Sequence, residues 1–149
     1  MADGQKWYVA GGSWGSSLSL FYALEYPDAI EGMIVTGISF ADMAGVKWLT
    51  EEGGASEIMP EWFWPYRDHI PPEKRNNGLA GAYYDIITNG TEEEILEATR
   101  LFTIWDTAIL YFDVPFDRIR EVEEDPALFV PLTKIFFHFV HHYYTDDNR

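Results

Sequence analysis

A glycine-rich segment at residues 11–15, Gly-Gly-Ser-Trp-Gly, is the feature that most restricts how this chain folds. A short run of β-prone residues, 7–10, precedes it, and apolar side chains follow at near-helical spacing, at Leu18, Phe21, Tyr22 and Leu24. The segment matches the pattern G-x-S-x-G in the context of a strand, a tight turn and a helix. It therefore predicts that Ser13 lies on a sharp turn between a strand and a helix.

The predicted helix ends at Tyr26, because Pro27 lacks a backbone donor and disfavours helical geometry in the residue before it. Residues 33–36, Met-Ile-Val-Thr, indicate a second strand that is apolar on both faces. Such a strand is typical of a parallel sheet, in which a helical crossover joins successive strands. Residues 7–37 are therefore predicted to form one β-α-β unit.

Ser13 is the candidate catalytic residue of this turn. A serine on a strained strand-to-helix turn projects its hydroxyl out of the sheet, and flanking glycines allow the helix and the strand to approach closely. The backbone amide of Trp14, at the helix N-terminus, would donate to a developing oxyanion. The alternative is a glycine-rich turn whose serine only caps the helix. The two flanking elements favour a nucleophile.

The composition restricts the partners of the chain. Its 149 residues carry a formal net charge of -15, which repels nucleic acid phosphates and anionic membrane surfaces. Hydrophobic residues at 47% and aromatic residues at 17% are too abundant for a disordered acidic tail, so the chain is expected to fold. Cysteine is absent, and residues 1–6 lack the apolar segment of a signal peptide. We therefore expect a cytoplasmic protein without a membrane span.

Residues 41–149 differ in pattern from the first forty. Prolines interrupt their first part, and from Thr91, a predicted helix cap, the apolar spacing becomes helical, with another helix expected over 126–143. This region is therefore predicted to be mainly helical, without a clear strand. Its aromatic cluster is interpreted as core, with a hydrophobic substrate pocket as the alternative, and comprises Trp62, Phe63, Trp64 and Tyr66.

The turn and its surroundings resemble the proline iminopeptidases, serine peptidases of the α/β-hydrolase fold that release an N-terminal proline. The run Gly-Gly-Ser-Trp-Gly-Ser at 11–16 is more specific than G-x-S-x-G alone. Similar segments follow at 52–60, 105–106 and 142–144. The resemblance therefore covers nearly the whole chain and is strongest in residues 7–60.

By this resemblance the fold class is α/β, with a partial α/β-hydrolase core at residues 1–40 and a mainly helical cap at 41–149. Family members are longer, and carry a glycine-rich oxyanion loop before the nucleophile turn and the triad's Asp and His after the cap. We therefore expect an internal piece of a longer hydrolase, or the product of a truncated gene, that is inactive on its own. Its two-stranded sheet would have two exposed edges, through which copies could associate.

The resemblance also implies a substrate-binding site in the cap. Proline iminopeptidases hold the substrate's N-terminal ammonium group with cap carboxylates, one of which corresponds to Asp106, beside Trp105. A second family carboxylate is missing from the segment 140–144, Val-His-His-Tyr-Tyr. The implied substrate is a peptide or small amide with a free N-terminus, with a different amide or ester as the alternative, and no cofactor is implied. For Asp106 the competing interpretation is an ordinary polar residue on a helix surface.

Three further interpretations follow from the residues alone. A self-contained triad would combine Ser13 with Asp106 or Asp113 and with His138, His141 or His142, but the resemblance places all of these partners in the cap. His138 and His142 share a helix face, yet no third ligand accompanies them, so no metal site is predicted. The third interpretation, from a different class, is a non-catalytic helical module that binds a peptide or basic partner through its acidic, aromatic surface.

Overall fold

The computed structural model describes residues 5–111 and 113–143. Its sheet unit consists of two strands, a connecting helix and a short 3-10 turn, in the order β1 (Trp7–Gly12), α1 (Trp14–Glu25), the turn (Pro27–Ala29) and β2 (Ile30–Thr36). The two strands are parallel. The predicted β-α-β unit is therefore confirmed, and both strands are longer than the sequence pattern indicated.

The sheet is covered on one face. Gly11 pairs with Val35 and lies against α1, whereas Ala10 pairs with Ile34 on the opposite face. Tyr8 shares that opposite face, and the Tyr8 and Ile34 side chains are 80% and 69% exposed. No element in the described part of the chain covers them, although parallel sheets normally have both faces buried.

Helix α1 buries its small polar side chains instead of its large apolar ones. The buried residues are Ser16, Ser17 and Ser19, whereas the exposed apolar residues are Leu18, Phe21 and Leu24. The apolar spacing thus predicted the helix correctly, although those side chains lie on the surface. Together with the open sheet face, they give the unit an extended apolar surface.

The rest of the described chain is mainly helical and contains no further strand, as predicted. Its α-helices are α2 (Met43–Thr50), α3 (Pro60–Asp68), α4 (Gly78–Asn89), α5 (Glu92–Leu110), α6 (Phe116–Glu124) and α7 (Val130–Tyr143). Short 3-10 turns lie at Ala55–Glu57, Pro72–Lys74 and Pro126–Phe129. The single helix predicted over 126–143 is therefore a 3-10 turn followed by α7.

Helix α5 begins with a capping box, which confirms Thr91 as its cap. The Glu94 backbone N–H donates to the Thr91 hydroxyl at 3.3 Å, and the Thr91 backbone N–H donates to the Glu94 carboxylate at 2.7 Å. The second of these hydrogen bonds lowers the pKa of Glu94. Two backbone donors at the helix start are thereby satisfied.

The hydrophobic core lies among the helices and is rich in aromatic rings. Tyr66 stacks on Tyr83 with ring centroids 4.4 Å apart, and the Tyr83 hydroxyl donates to the Tyr66 carbonyl oxygen at 2.7 Å. Phe63 and Trp105 meet edge to face at 5.1 Å. The aromatic cluster at 62–66 is therefore core in its buried members, Phe63 and Tyr66, while Trp64 is half exposed.

Within the described residues, no helix is both long enough and apolar enough to cross a membrane.

Candidate active site

Ser13 lies at the turn between β1 and α1, with its side chain exposed. Its backbone angles are φ 52° and ψ -123°, and a positive φ is uncommon for a residue other than glycine. Such a conformation persists only where the surrounding structure imposes it, and it occurs often at functional sites. The geometry is that of the strained strand-to-helix turn which the G-x-S-x-G pattern predicts.

Gly11 makes this turn possible. A Cβ atom on Gly11 would lie 2.1 Å from the carbonyl oxygen of Gly15 and 2.6 Å from the Ser19 hydroxyl oxygen. A Cβ on Gly15 would meet no atom within 4 Å. The expectation that flanking glycines permit the close approach of helix and strand is therefore confirmed for Gly11, whereas Gly15 is not needed for it.

Backbone hydrogen bonds hold Ser13 from both sides. Its amide donates to the carbonyl oxygen of Thr36 at 3.1 Å, and its own carbonyl oxygen accepts from the Ser16 amide at 2.9 Å. Trp14 follows as the first residue of α1, where backbone N–H groups are not used by the helix itself and the helix dipole is positive. The turn therefore presents an exposed hydroxyl beside a positively polarised helix end.

The ring of Trp14 connects the turn to the helical region. It packs against Phe139 of α7, with ring centroids 5.6 Å apart. Phe139 in turn lines a cavity of ≈ 490 Å³ between α4 and α7. Helix α7 therefore contacts the Ser13 turn through this pair of rings.

Asp106 lies on α5, half-buried in the wall of a second cavity of ≈ 330 Å³. The other walls come from α6, the following 3-10 turn and α7, and include Arg118, Phe129 and Phe136. Burial raises the pKa of Asp106 to about 6, because the ionised carboxylate has lost much of its water. A cation in this cavity would favour the ionised form.

Trp105, the neighbour of Asp106, is a core residue. Its side chain is 1% exposed, and its indole N–H donates to the carbonyl oxygen of Leu49 at 2.9 Å. A direct contact between Trp105 and a substrate would require the core to open. The ring instead fixes this turn of α5, and with it the position of Asp106.

No contact among the described residues joins Asp106 to Ser13. Helix α7 nevertheless touches both neighbourhoods, because Phe136 lines the cavity of Asp106 and Phe139 packs on Trp14 one helical turn later. The structure therefore brings the neighbourhoods of both sequence-predicted site residues against one segment of α7, at side chains three residues apart.

Two histidines of α7 contact α4 instead of the Ser13 turn. The His141 ring stacks on Tyr84 at 3.9 Å, and Nε2 of His142 lies 3.1 Å from the Tyr84 hydroxyl. Within the described residues the Ser13 hydroxyl forms no hydrogen bond with a histidine, and no group of three potential metal ligands lies together. Asp113 lies exposed on the connection before α6.

Two interactions between distant segments escaped the sequence pattern. The Glu51 carboxylate accepts from the backbone amides of Leu79 and Ala80 at 2.9 and 3.0 Å, and so caps α4 from a distant segment. The hydroxyls of Ser16 and Ser17 bind the backbone of Ser39. Neither interaction leaves a local signal, because its partners lie more than twenty residues apart.

The family model of the alpha/beta hydrolase fold matches residues 2–79, just over half of the chain. Together with the parallel strands and the serine turn, this match shows that the chain belongs to the alpha/beta hydrolase fold family.

Within that family the chain is similar to proline iminopeptidases, which confirms the resemblance. It is 34% identical to the enzyme of Neisseria meningitidis serogroup A over 134 residues, which cover 90% of this chain and 41% of that relative. It is 37% identical to the enzyme of Neisseria gonorrhoeae, over a segment that covers 72% of this chain and 34% of that relative. It is 32% identical to the enzyme of Arabidopsis thaliana, over a segment that covers 80% of this chain and 31% of that relative. The chain thus spans less than half the length of the curated relatives that it matches.

Proposed function

We propose that this chain contains the nucleophile turn and cap of a serine hydrolase that releases an N-terminal residue from peptides or small amides. The observation that carries the proposal is the strained, exposed conformation of Ser13 between β1 and α1. The similarity to proline iminopeptidases supports the substrate class. It makes proline the first N-terminal residue to test.

In the proposed reaction the Ser13 hydroxyl attacks the substrate's carbonyl carbon, and its proton passes to a general base. The Trp14 amide donates to the oxyanion of the tetrahedral intermediate, where the positive end of α1 adds to the stabilisation. The C–N bond then breaks, the amine leaves with a proton, and the acyl group remains on Ser13 as an ester. Water hydrolyses the ester and regenerates the hydroxyl.

Recognition of the free N-terminus is assigned to Asp106. Its ionised carboxylate in a mostly apolar cavity is a suitable partner for an ammonium group, because each charge offsets the other's loss of water. Trp105 would act through the position it gives Asp106. Only one carboxylate is assigned here, whereas the family uses two, so we expect a weaker preference for proline. The alternative substrate is a different amide or ester with a free amine.

Completion of the site is assigned to further core segments, supplied by a longer gene product or by another chain. The exposed edges of β1 and β2 would receive additional strands, helices would cover the open sheet face, and those segments would bring the triad's Asp and His. The same surface would allow copies of this chain to associate. The chain alone would then react slowly at Ser13, without efficient turnover.

A competition experiment tests the substrate class. A fluorophosphonate probe labels a reactive serine, and bound substrate slows that labelling. We expect prolyl-alanine to slow labelling at pH 8 more than N-acetylprolyl-alanine does, and Asp106→Asn to remove the difference. Because the pKa of Asp106 is about 6, the difference should also disappear as the pH falls below that value. Asp117→Asn, at a fully exposed carboxylate on α6, is the matched control.

Equal slowing by both peptides, or a difference that persists in Asp106→Asn, would contradict the role of Asp106. A folded chain that is not labelled at all, but still binds prolyl-alanine in equilibrium dialysis, would favour the non-catalytic binding module instead. The labelling result therefore tests Ser13 as the nucleophile, and the competition result tests Asp106 as the recognition site.

A further inference from the structure

Three buried serines line the inner face of α1, and two of them reach beyond the helix. Ser16 is 0% exposed and Ser17 is 1% exposed. Both bind the backbone of Ser39, which lies in the connection between β2 and α2, residues 37–42. The third serine, Ser19, donates to the carbonyl oxygen of Gly15 within the same helix at 2.7 Å.

Ser16 links the nucleophile to this connection with a single hydroxyl group. Its hydroxyl donates to the carbonyl oxygen of Ser13 at 2.6 Å and accepts from the amide of Ser39 at 2.9 Å. A serine hydroxyl has one donor, so the donor of Ser16 is fully used by Ser13. A change at Ser16 would therefore affect both the turn and the connection.

Ser17 completes the attachment of Ser39. Its hydroxyl donates to the Ser39 carbonyl oxygen at 2.6 Å, so both backbone polar groups of Ser39 are held by consecutive side chains of α1. The connection runs close to the nucleophile, because a Cβ on Gly37 would lie 3.6 Å from the Ser13 nitrogen. Positive φ angles at Gly37 and Ala41 bend the chain on either side of the attachment.

We propose that Ser16 and Ser17 are positioning residues, which clamp Ser39 and thereby hold the 37–42 connection beside Ser13. This clamp, the pair Ser16 and Ser17, holds the carbonyl group of Ser13 in the strained turn through the Ser16 hydroxyl. It also fixes the path of the chain between β2 and the helical region. This inference rests on the proposed role of Ser13 as the nucleophile. It adds residues that touch no substrate but determine the geometry of the reacting hydroxyl.

The test compares three alanine variants of α1. Ser16→Ala and Ser17→Ala remove the clamp, whereas Ser19→Ala removes a buried hydroxyl whose bond stays inside the helix. Circular dichroism and thermal unfolding establish that each variant is folded at the assay temperature. Two quantities are then measured: the rate of fluorophosphonate labelling at Ser13 and the hydrogen exchange rate of the Ser39 amide.

We expect labelling to slow about tenfold in Ser16→Ala and less in Ser17→Ala, with Ser19→Ala close to the parent chain. Exchange of the Ser39 amide should accelerate at least tenfold in Ser16→Ala, because that amide loses its acceptor. Labelling at the parent rate in folded Ser16→Ala and Ser17→Ala would overturn the positioning role. If Ser16→Ala does not fold, Ser17→Ala decides the question by itself.

The exchange measurement separates failure of the clamp from failure of the proposed function. If the parent chain is not labelled, the nucleophile proposal fails, and with it the role of the clamp in reactivity. Faster Ser39 exchange in Ser16→Ala alone would then still support the attachment of the connection. Equal exchange in the Ser16→Ala and Ser19→Ala variants would overturn the clamp whatever the labelling shows.

Discussion

Ser13 combines an unfavourable backbone conformation with an exposed side chain. A non-glycine residue at such angles costs on the order of 1–3 kcal/mol, which neighbouring contacts must offset. Here the contacts are the hydrogen bonds to Thr36 and Ser16 and the close approach of α1 to Gly11. The residues around Ser13 thus hold a conformation that the serine alone would not adopt.

The two glycines that flank the turn should respond in opposite ways to alanine. Gly11→Ala places a Cβ against the backbone of α1, so we expect a loss of about 3 kcal/mol in the free energy of unfolding. Gly15→Ala places its Cβ in open space within a helix and should raise that free energy by up to about 1 kcal/mol. Urea unfolding followed by circular dichroism measures both values. Equal effects of the two substitutions would contradict the close approach at Gly11.

At the scale of single residues, the sequence predicted the local backbone geometry around Ser13 better than it predicted the side-chain contacts. The pattern G-x-S-x-G located Ser13 and Trp14 correctly between a strand and a helix, because the requirement for glycine is local. The Ser39 attachment could not be predicted, because it depends on where the chain returns after β2. The burial of Trp105 likewise depends on packing between α2, α3 and α5, for which the sequence holds no short-range signal.

Helices with a strong local start were predictable, and those defined by packing were not. Thr91 and three glutamates indicated the start of α5, and its capping box follows from those residues alone. Helix α2 has a local cap as well, because the Gly45 backbone N–H donates to the Asp42 carboxylate at 2.8 Å, whereas the N-cap side chains of α4 and α6 form no such hydrogen bond. Helix α4 begins at residues capped by Glu51, a carboxylate that lies in a different segment.

The capping box supports a prediction about the stability of α5. Thr91→Ala removes the acceptor for the Glu94 amide, so we expect the free energy of unfolding to fall by about 1 kcal/mol. Thr88→Ala, at an exposed position inside α4, should leave that free energy unchanged or raise it slightly, since alanine is the better helix former. Urea unfolding of both variants checks this. An equal change in the two variants would show that the cap contributes nothing.

The whole molecule has one well-packed region and one open region. The helices enclose an aromatic core, whereas the sheet unit exposes Tyr8 and Ile34 on one face and the apolar side chains of α1 on its other side. Relatives that are more than twice as long contain additional chain that could cover such surfaces. The exposed surface is therefore interpreted as an incomplete hydrolase core, which agrees with the fold class indicated by the sequence.

The most direct test of the central claim is where a fluorophosphonate probe reacts with the folded chain. We expect peptide mass spectrometry to find one adduct, on Ser13, and Ser13→Ala to lose it while Ser19→Ala keeps it. An unlabelled folded chain, or labelling that is undiminished in Ser13→Ala, would contradict the assignment of Ser13 as the nucleophile.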